Sequence, residues 1–111
     1  MIMGVRLEKP FLLLQAAAVK AVQAQMGVYQ LADDNEQVLY IGSADARSLF
    51  GLRGELQRFL EDPEVTRFRV EVNTAYHTRR QELLMLHQAD HGELPVRNRD
   101  YPFQLGRLSP A

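Results

Sequence analysis

The residue types able to do chemistry fall into three groups along this 111-residue chain. Two short runs, Gly27-Val28-Tyr29 and Tyr40-Ile41-Gly42, each pair a glycine with a tyrosine across a loop of acids and amides. A phenol can relay a proton or orient a water. Arg67 and Arg69, with Arg79 and Arg80 nearby, form a cationic group that could hold backbone phosphates. Glu71 shares their face, so a solvated mixed-charge surface is the plain alternative. His87 and His91, at i and i+4, fall on one helix face and could bind a transition metal such as zinc or manganese. With no firm third ligand, two ordinary surface histidines is the other reading.

These side chains need elements to place them. Residues 11–25, FLLLQAAAVKAVQAQ, are rich in alanine and leucine behind Pro10 and predict a helix ending near Met26. Phe11 to Leu14 is a continuous apolar run, so the first turn could instead be extended. Gly27–Leu31 and Gln37–Ile41 predict two strands, with Asp33 to Glu36 supplying the turn of a hairpin. Leu49, Leu52, Leu56, Phe59 and Leu60 set a helix over about 48–60, which Glu61-Asp62-Pro63 ends. In Thr66–Asn73, Phe68, Val70 and Val72 alternate with Arg67, Arg69, Glu71 and Asn73, the pattern of a half-buried third strand. Arg79 to about Asp90 forms a last helix with Gly92 as C-cap, and Pro95 cannot continue it. Its Leu83-Leu84-Met85-Leu86 run suits core and, if one face stays open, a homodimer. The expected fold class is therefore α+β, a small three-stranded antiparallel or mixed sheet flanked by helices.

The composition fits one domain. It is 46% hydrophobic and 24% charged, the ordinary range for a soluble globular protein. The net charge of −1 excludes the strongly basic balance of a general nucleic-acid binder, so any phosphate contact must come from a local patch. No cysteine is present, hence no disulfide framework or thiolate metal cage, and a cytoplasmic location is expected. The apolar run from Pro10 to Val22 is broken by Gln15 and Lys20 and falls short of the roughly 20 residues that span a bilayer, so no membrane contact is expected.

The GVY and YIG runs on successive strands, Arg53 on the following helix, and a P-V-R-N segment ending at Asn98 together resemble the GIY-YIG nuclease superfamily. The resemblance covers residues 26–103, with 1–25 as an N-terminal extension carrying an extra helix and 104–111 as a tail. Tyr101-Pro102-Phe103 looks like the segment that follows this domain in the bacterial excision-repair nuclease subunit. The resemblance implies DNA binding and divalent-metal-dependent phosphodiester hydrolysis with magnesium or manganese. It assigns Tyr29, Tyr40 and Arg53 to the scissile phosphate, and Asn98 to the support of sheet and site. A guanidinium offers a planar fork for phosphate oxygens, and a hard metal on a carboxylate would polarise the ester.

Two positions depart from the pattern. Gln57 stands where many members carry a histidine or tyrosine, and an amide is no general base near neutral pH. The metal-holding glutamate of the family falls on Leu86, next to His87. Glu82, one turn or about 5.4 Å earlier on the same helix face, is then the carboxylate offered for the metal, with His87 as alternative. A catalytically inactive binding or scaffolding module on the same fold is the competing expectation.

Overall fold

The computed structural model describes residues 5–99. Tyr101 to Phe103 and the tail 104–111 lie outside the described residues. The elements run β1 (Leu12–Leu13), α1 (Ala16–Lys20), β2 (Gly27–Ala32), β3 (Val38–Ala44), α2 (Gly51–Gln57), β4 (Arg67–Val72) and α3 (Tyr76–His91), closed by a 3-10 turn at Val96–Asn98. The fold is α+β: a four-stranded sheet in the order β1-β4-β2-β3, antiparallel throughout, with three helices.

The extra strand corrects the expected long first helix. Leu12 and Leu13 pair with Phe68 and Arg67, and the Leu14 amide donates to the Thr66 carbonyl at 2.9 Å. Pairing to β4 captures the apolar run in the extended form, and the helix is left with Ala16–Lys20. Helix propensity is a weak prior that such tertiary pairing overrides. Strand β4 is consequently interior, between β1 and β2. Its Arg67, Arg69 and Glu71 are half-buried rather than solvated.

The hairpin between β2 and β3 turns on Asp33, whose Oδ1 accepts from the amides of Asn35 and Gln37, each at 2.9 Å. Helix α3 ends at Gly92, which adopts a left-handed φ of 84° and sends its amide to the Gln88 carbonyl. Glycine takes that conformation without a Cβ clash.

Alternation along the strands gives the sheet two faces with different cores. On one, Tyr29, Leu31, Ala44 and Phe68 pack with Val19 of α1, Val22 just after it, and Leu52 and Leu56 of α2. On the other, Val28 and Ile41 pack with Leu7 and with Leu83 and Leu84 of α3. The four-residue apolar run of α3 is thus covered on one side, with Leu83 and Leu84 buried and Met85 exposed. No helix among the described residues is long and apolar enough to cross a membrane.

Candidate functional site

Tyr29 and Tyr40 do come together. The register sets Tyr29 opposite Gly42 and Leu31 opposite Tyr40, so both phenols leave the sheet on the α2 face. Their ring centroids are 6.1 Å apart, and Phe59, just past α2, closes a triangle at 6.5 Å from Tyr29 and 6.2 Å from Tyr40. Tilted contacts in this range suit the aromatic quadrupole.

The glycines of the two runs have a packing reason. A Cβ on Gly42 would lie 2.5 Å from Cζ and Oη of Tyr29 and 2.7 Å from Cε2 of Tyr40. The Tyr29 ring therefore lies directly across Gly42. A Cβ on Gly27 would meet the Glu71 carbonyl and come within 2.9 Å of Leu52 Cδ1. Both glycines mark close approach of backbone to a neighbour rather than a special φ.

Tyr29 is only 1% exposed, and its hydroxyl donates to Oε1 of Glu55 at 2.9 Å. The same oxygen accepts from Arg58 Nη1 at 2.8 Å. Burial, then the nearby Glu55 carboxylate, push the Tyr29 phenol far above the ordinary tyrosine value, so it stays protonated in water of any physiological pH. A phenol so placed donates one bond to a fixed carboxylate.

Glu55 is the residue that reading the sequence for chemistry passed over. It sits on α2 between Leu52 and Leu56, inside the apolar stripe that continues to Phe59. An acid within such a stripe, at i+3 from a buried leucine, signals a buried polar partner.

Arg53 is not brought to the tyrosines. It stands two residues before Glu55, about 200° around the helix axis. Its Nε donates to the Val22 carbonyl at 3.0 Å, toward α1. Gln57 is exposed.

The remaining expected residues lie across the sheet, on or against α3. Glu82 accepts from Arg79 Nη1 at 2.6 Å. Arg79 is buried and also donates through Nε and Nη2 to the two carboxylate oxygens of Glu71, at 2.9 and 3.0 Å. Burial alone would raise the Glu71 carboxyl, but hydrogen bonds from Arg79 and Asn73 outweigh it and hold the group below the usual range. Arg80, also buried, sends Nε to the Ile41 carbonyl at 3.1 Å. Asn98 is 1% exposed and grips the same residue from both sides: the Ile41 amide donates to its Oδ1 at 2.9 Å and its Nδ2 donates to the Ile41 carbonyl at 3.0 Å. Ile41 is the centre of Tyr40-Ile41-Gly42, so Asn98 and Arg80 lock the outer edge of β3.

The donor set does not fit the divalent metal that the GIY-YIG resemblance implies. Glu82 is committed to Arg79 on the face away from the phenols. Glu55, the carboxylate that does meet Tyr29, is bonded to Tyr29 and Arg58. Among the described residues no group of three or more histidines and carboxylates is arranged to hold a metal ion. His87 and His91 stack at 4.4 Å between ring centroids, and His87 Nδ1 meets the Glu93 carbonyl at 3.0 Å.

Fold and geometry define a small α+β protein whose paired tyrosine strands and helix α2 hold a cluster of three aromatic rings and a carboxylate around the buried Tyr29. The chain belongs to the family described as domain of unknown function DUF7508, whose model matches residues 5–90. Comparison with curated proteins and with solved structures finds no match.

Proposed function

We propose that this chain is a GIY-YIG-like module that binds DNA through its α1–α2 edge and does not hydrolyse it. The antiparallel pairing of the GVY and YIG strands, the helix that follows, and the bonds of Asn98 to Ile41 support the likeness. The observation that carries the non-catalytic reading is the Tyr29 hydroxyl, sealed beneath Tyr40 and Phe59 and spent on Glu55. A group that is to touch water or phosphate during hydrolysis needs access, and this one has none.

Binding rests on cations at the outer rim of the same face. Lys20, in the last turn of α1, is exposed, and neither it nor Arg53 has a carboxylate partner among the described residues. The Arg47 side chain is 92% exposed, with only a loose 3.8 Å contact to Asp45. Such unneutralised charges suit backbone phosphates, which position a duplex without reading its sequence.

The test is fluorescence anisotropy with duplex and branched DNA over a salt series, alongside incubation with magnesium or manganese. Binding is expected to weaken with salt, and Lys20→Ala with Arg53→Ala to reduce the salt slope by about two. No cutting is expected. Absence of salt-dependent binding would overturn the DNA reading, and cutting that Tyr29→Phe abolishes would restore the nuclease.

A further inference from the structure

On the sheet face opposite the tyrosines, a cavity of about 290 Å³ opens between α3, the segment Arg6–Glu8 and strands β2 and β4. Its walls are apolar at Leu7, Leu83 and Leu86, and the stacked rings of His87 and His91 give it one flat side. That size lies just below the usual range of small-molecule pockets, roughly 300–1,000 Å³, and suits a small ligand.

Two polar groups in this cavity are incompletely satisfied. Gln30 is 6% exposed, and its Oε1 accepts from Arg69 Nε at 2.7 Å. That bond fixes the amide so that Nε2 is left without a hydrogen-bond partner among the described residues. The direct contacts of Arg69 are neutral: Gln30 Oε1, the Lys9 carbonyl at 2.9 Å, and the face of Phe11 at 4.1 Å. Among the described residues no carboxylate forms an ion pair with it; burial pulls its pKa below the usual arginine value, partly offset by the more distant Glu36 and Glu8 carboxylates. The other cation of the cavity, Arg6, is neutralised by Asp90 at 2.6 Å, and the exposed Glu8 carboxylate stands at the rim.

A half-buried guanidinium with no ion pair at contact distance and an amide donor open to the cavity without an acceptor offer it two converging donors, which suit an oxyanion. We propose that this cavity is a binding site for a small planar molecule bearing a carboxylate or phosphate. The anion lies against Arg69 and the Gln30 amide, and the apolar body lies between Leu83, Leu86 and the histidine rings. His87 adds an acceptor rather than a charge. With Nδ1–H donated to the Glu93 carbonyl, its Nε2 carries a lone pair. The site is separated by the sheet from the α1–α2 edge, and the proposal does not depend on DNA binding there.

The experiment is an NMR titration of the whole protein, following the Gln30 side-chain NH2 and Arg69 Nε–H signals. The probes are benzoate, phenyl phosphate, neutral benzamide and a short duplex DNA. Benzoate or phenyl phosphate is expected to shift both signals saturably, and the stronger of the two identifies the anion. Benzamide is expected to bind at least about tenfold more weakly, and Arg69→Gln to cost a similar factor. Leu86→Trp, which fills the cavity from α3 and leaves Arg69 in place, is expected to abolish the shifts while circular dichroism shows an intact fold. Equal binding of benzamide, indifference to either substitution, or no saturable shift with any small probe would overturn the proposal. Duplex DNA that moves the same two signals and displaces benzoate would assign the face to nucleic acid instead.

Discussion

Replacing Tyr29 by phenylalanine separates a structural phenol from a catalytic one. The substitution removes one oxygen and leaves the ring across Gly42, so no cavity forms beneath Tyr40 and Phe59. What is lost is the bond to Glu55 Oε1 at 2.9 Å. A hydrogen bond to a charged group contributes about 1.5–3 kcal/mol. The low end applies, because Glu55 keeps Arg58 at 2.8 Å on the same oxygen and its side chain remains 17% exposed. The expected loss is about 1.5 kcal/mol, which for a chain of this length lowers Tm by roughly 5–10 °C.

Urea unfolding of the wild type, Tyr29→Phe, Glu55→Ala and the double variant closes a double-mutant cycle for this contact. A coupling energy of about 1 kcal/mol or more is expected for two groups that touch. DNA affinity should stay at the wild-type level, since the hydroxyl faces protein. A coupling below about 0.5 kcal/mol, the range of independent sites, would refute the assignment of the hydroxyl to the core. So would a Tyr29→Phe protein as stable as wild type that has lost a DNA-directed activity.

Three further substitutions probe the frame around the site. Gly42→Ala drives a methyl group into the Tyr29 and Tyr40 rings and should cost about 1–3 kcal/mol in urea unfolding, as overpacking does. Asn98→Ala strands the buried Ile41 amide, since the carbonyl keeps Arg80, and should cost about 1–3 kcal/mol by the same measurement. Glu71→Gln tests the depressed carboxyl beside Arg79. A lowered folded pKa stabilises the protein above the unfolded value of 4.5 and loses that contribution as pH falls through the folded value. The variant should therefore be less stable at pH 7 and converge with wild type in acid, and parallel stability curves across that range would contradict it.

The local elements that chemistry writes into neighbouring residues were legible. The hairpin at Asp33 to Glu36, the alternation of Arg67 to Val72 and the cap at Gly92 each follow from a side chain acting within a few positions. What stayed open or escaped depends on distant pairing, and the extended alternative for Phe11 to Leu14 is the case in point. Leu12 and Leu13 become a strand because Phe68 and Arg67 are there to receive them. The meeting of Tyr29 with Tyr40 depends on a register shift between Leu31 and Ala32, which sets Tyr40 rather than Leu39 opposite Leu31; without it the two phenols would lie on opposite faces. The placement of Arg53 was not legible, because it depends on how α2 is rotated against α1, and the Val22 carbonyl that holds it carries no sequence signal. Arg79 and Glu82 looked available for phosphate and metal as single residues. Only the fold shows that Glu71 lies beside Arg79 and that all three are joined.

The sheet also divides the expected site, a second physical argument against hydrolysis at the tyrosines. A phenol on one face and the Glu82 carboxylate on the other cannot meet a single phosphate without rupture of the pairing between β2, β3 and β4. The backbone of Ile41 is one link between the faces. It is gripped at the β3 edge by Asn98 and Arg80, it packs with α3 through its side chain, and it stands between Tyr40 and Gly42 on the tyrosine side. That edge fixes the spacing of the phenols from the α3 side without supplying them any reactive group. On the proposed reading, Tyr29, covered by Tyr40 and Phe59 and bonded to Glu55, shapes the α1–α2 edge. The same reading offers the exposed cations outside it, such as Arg47, to a partner.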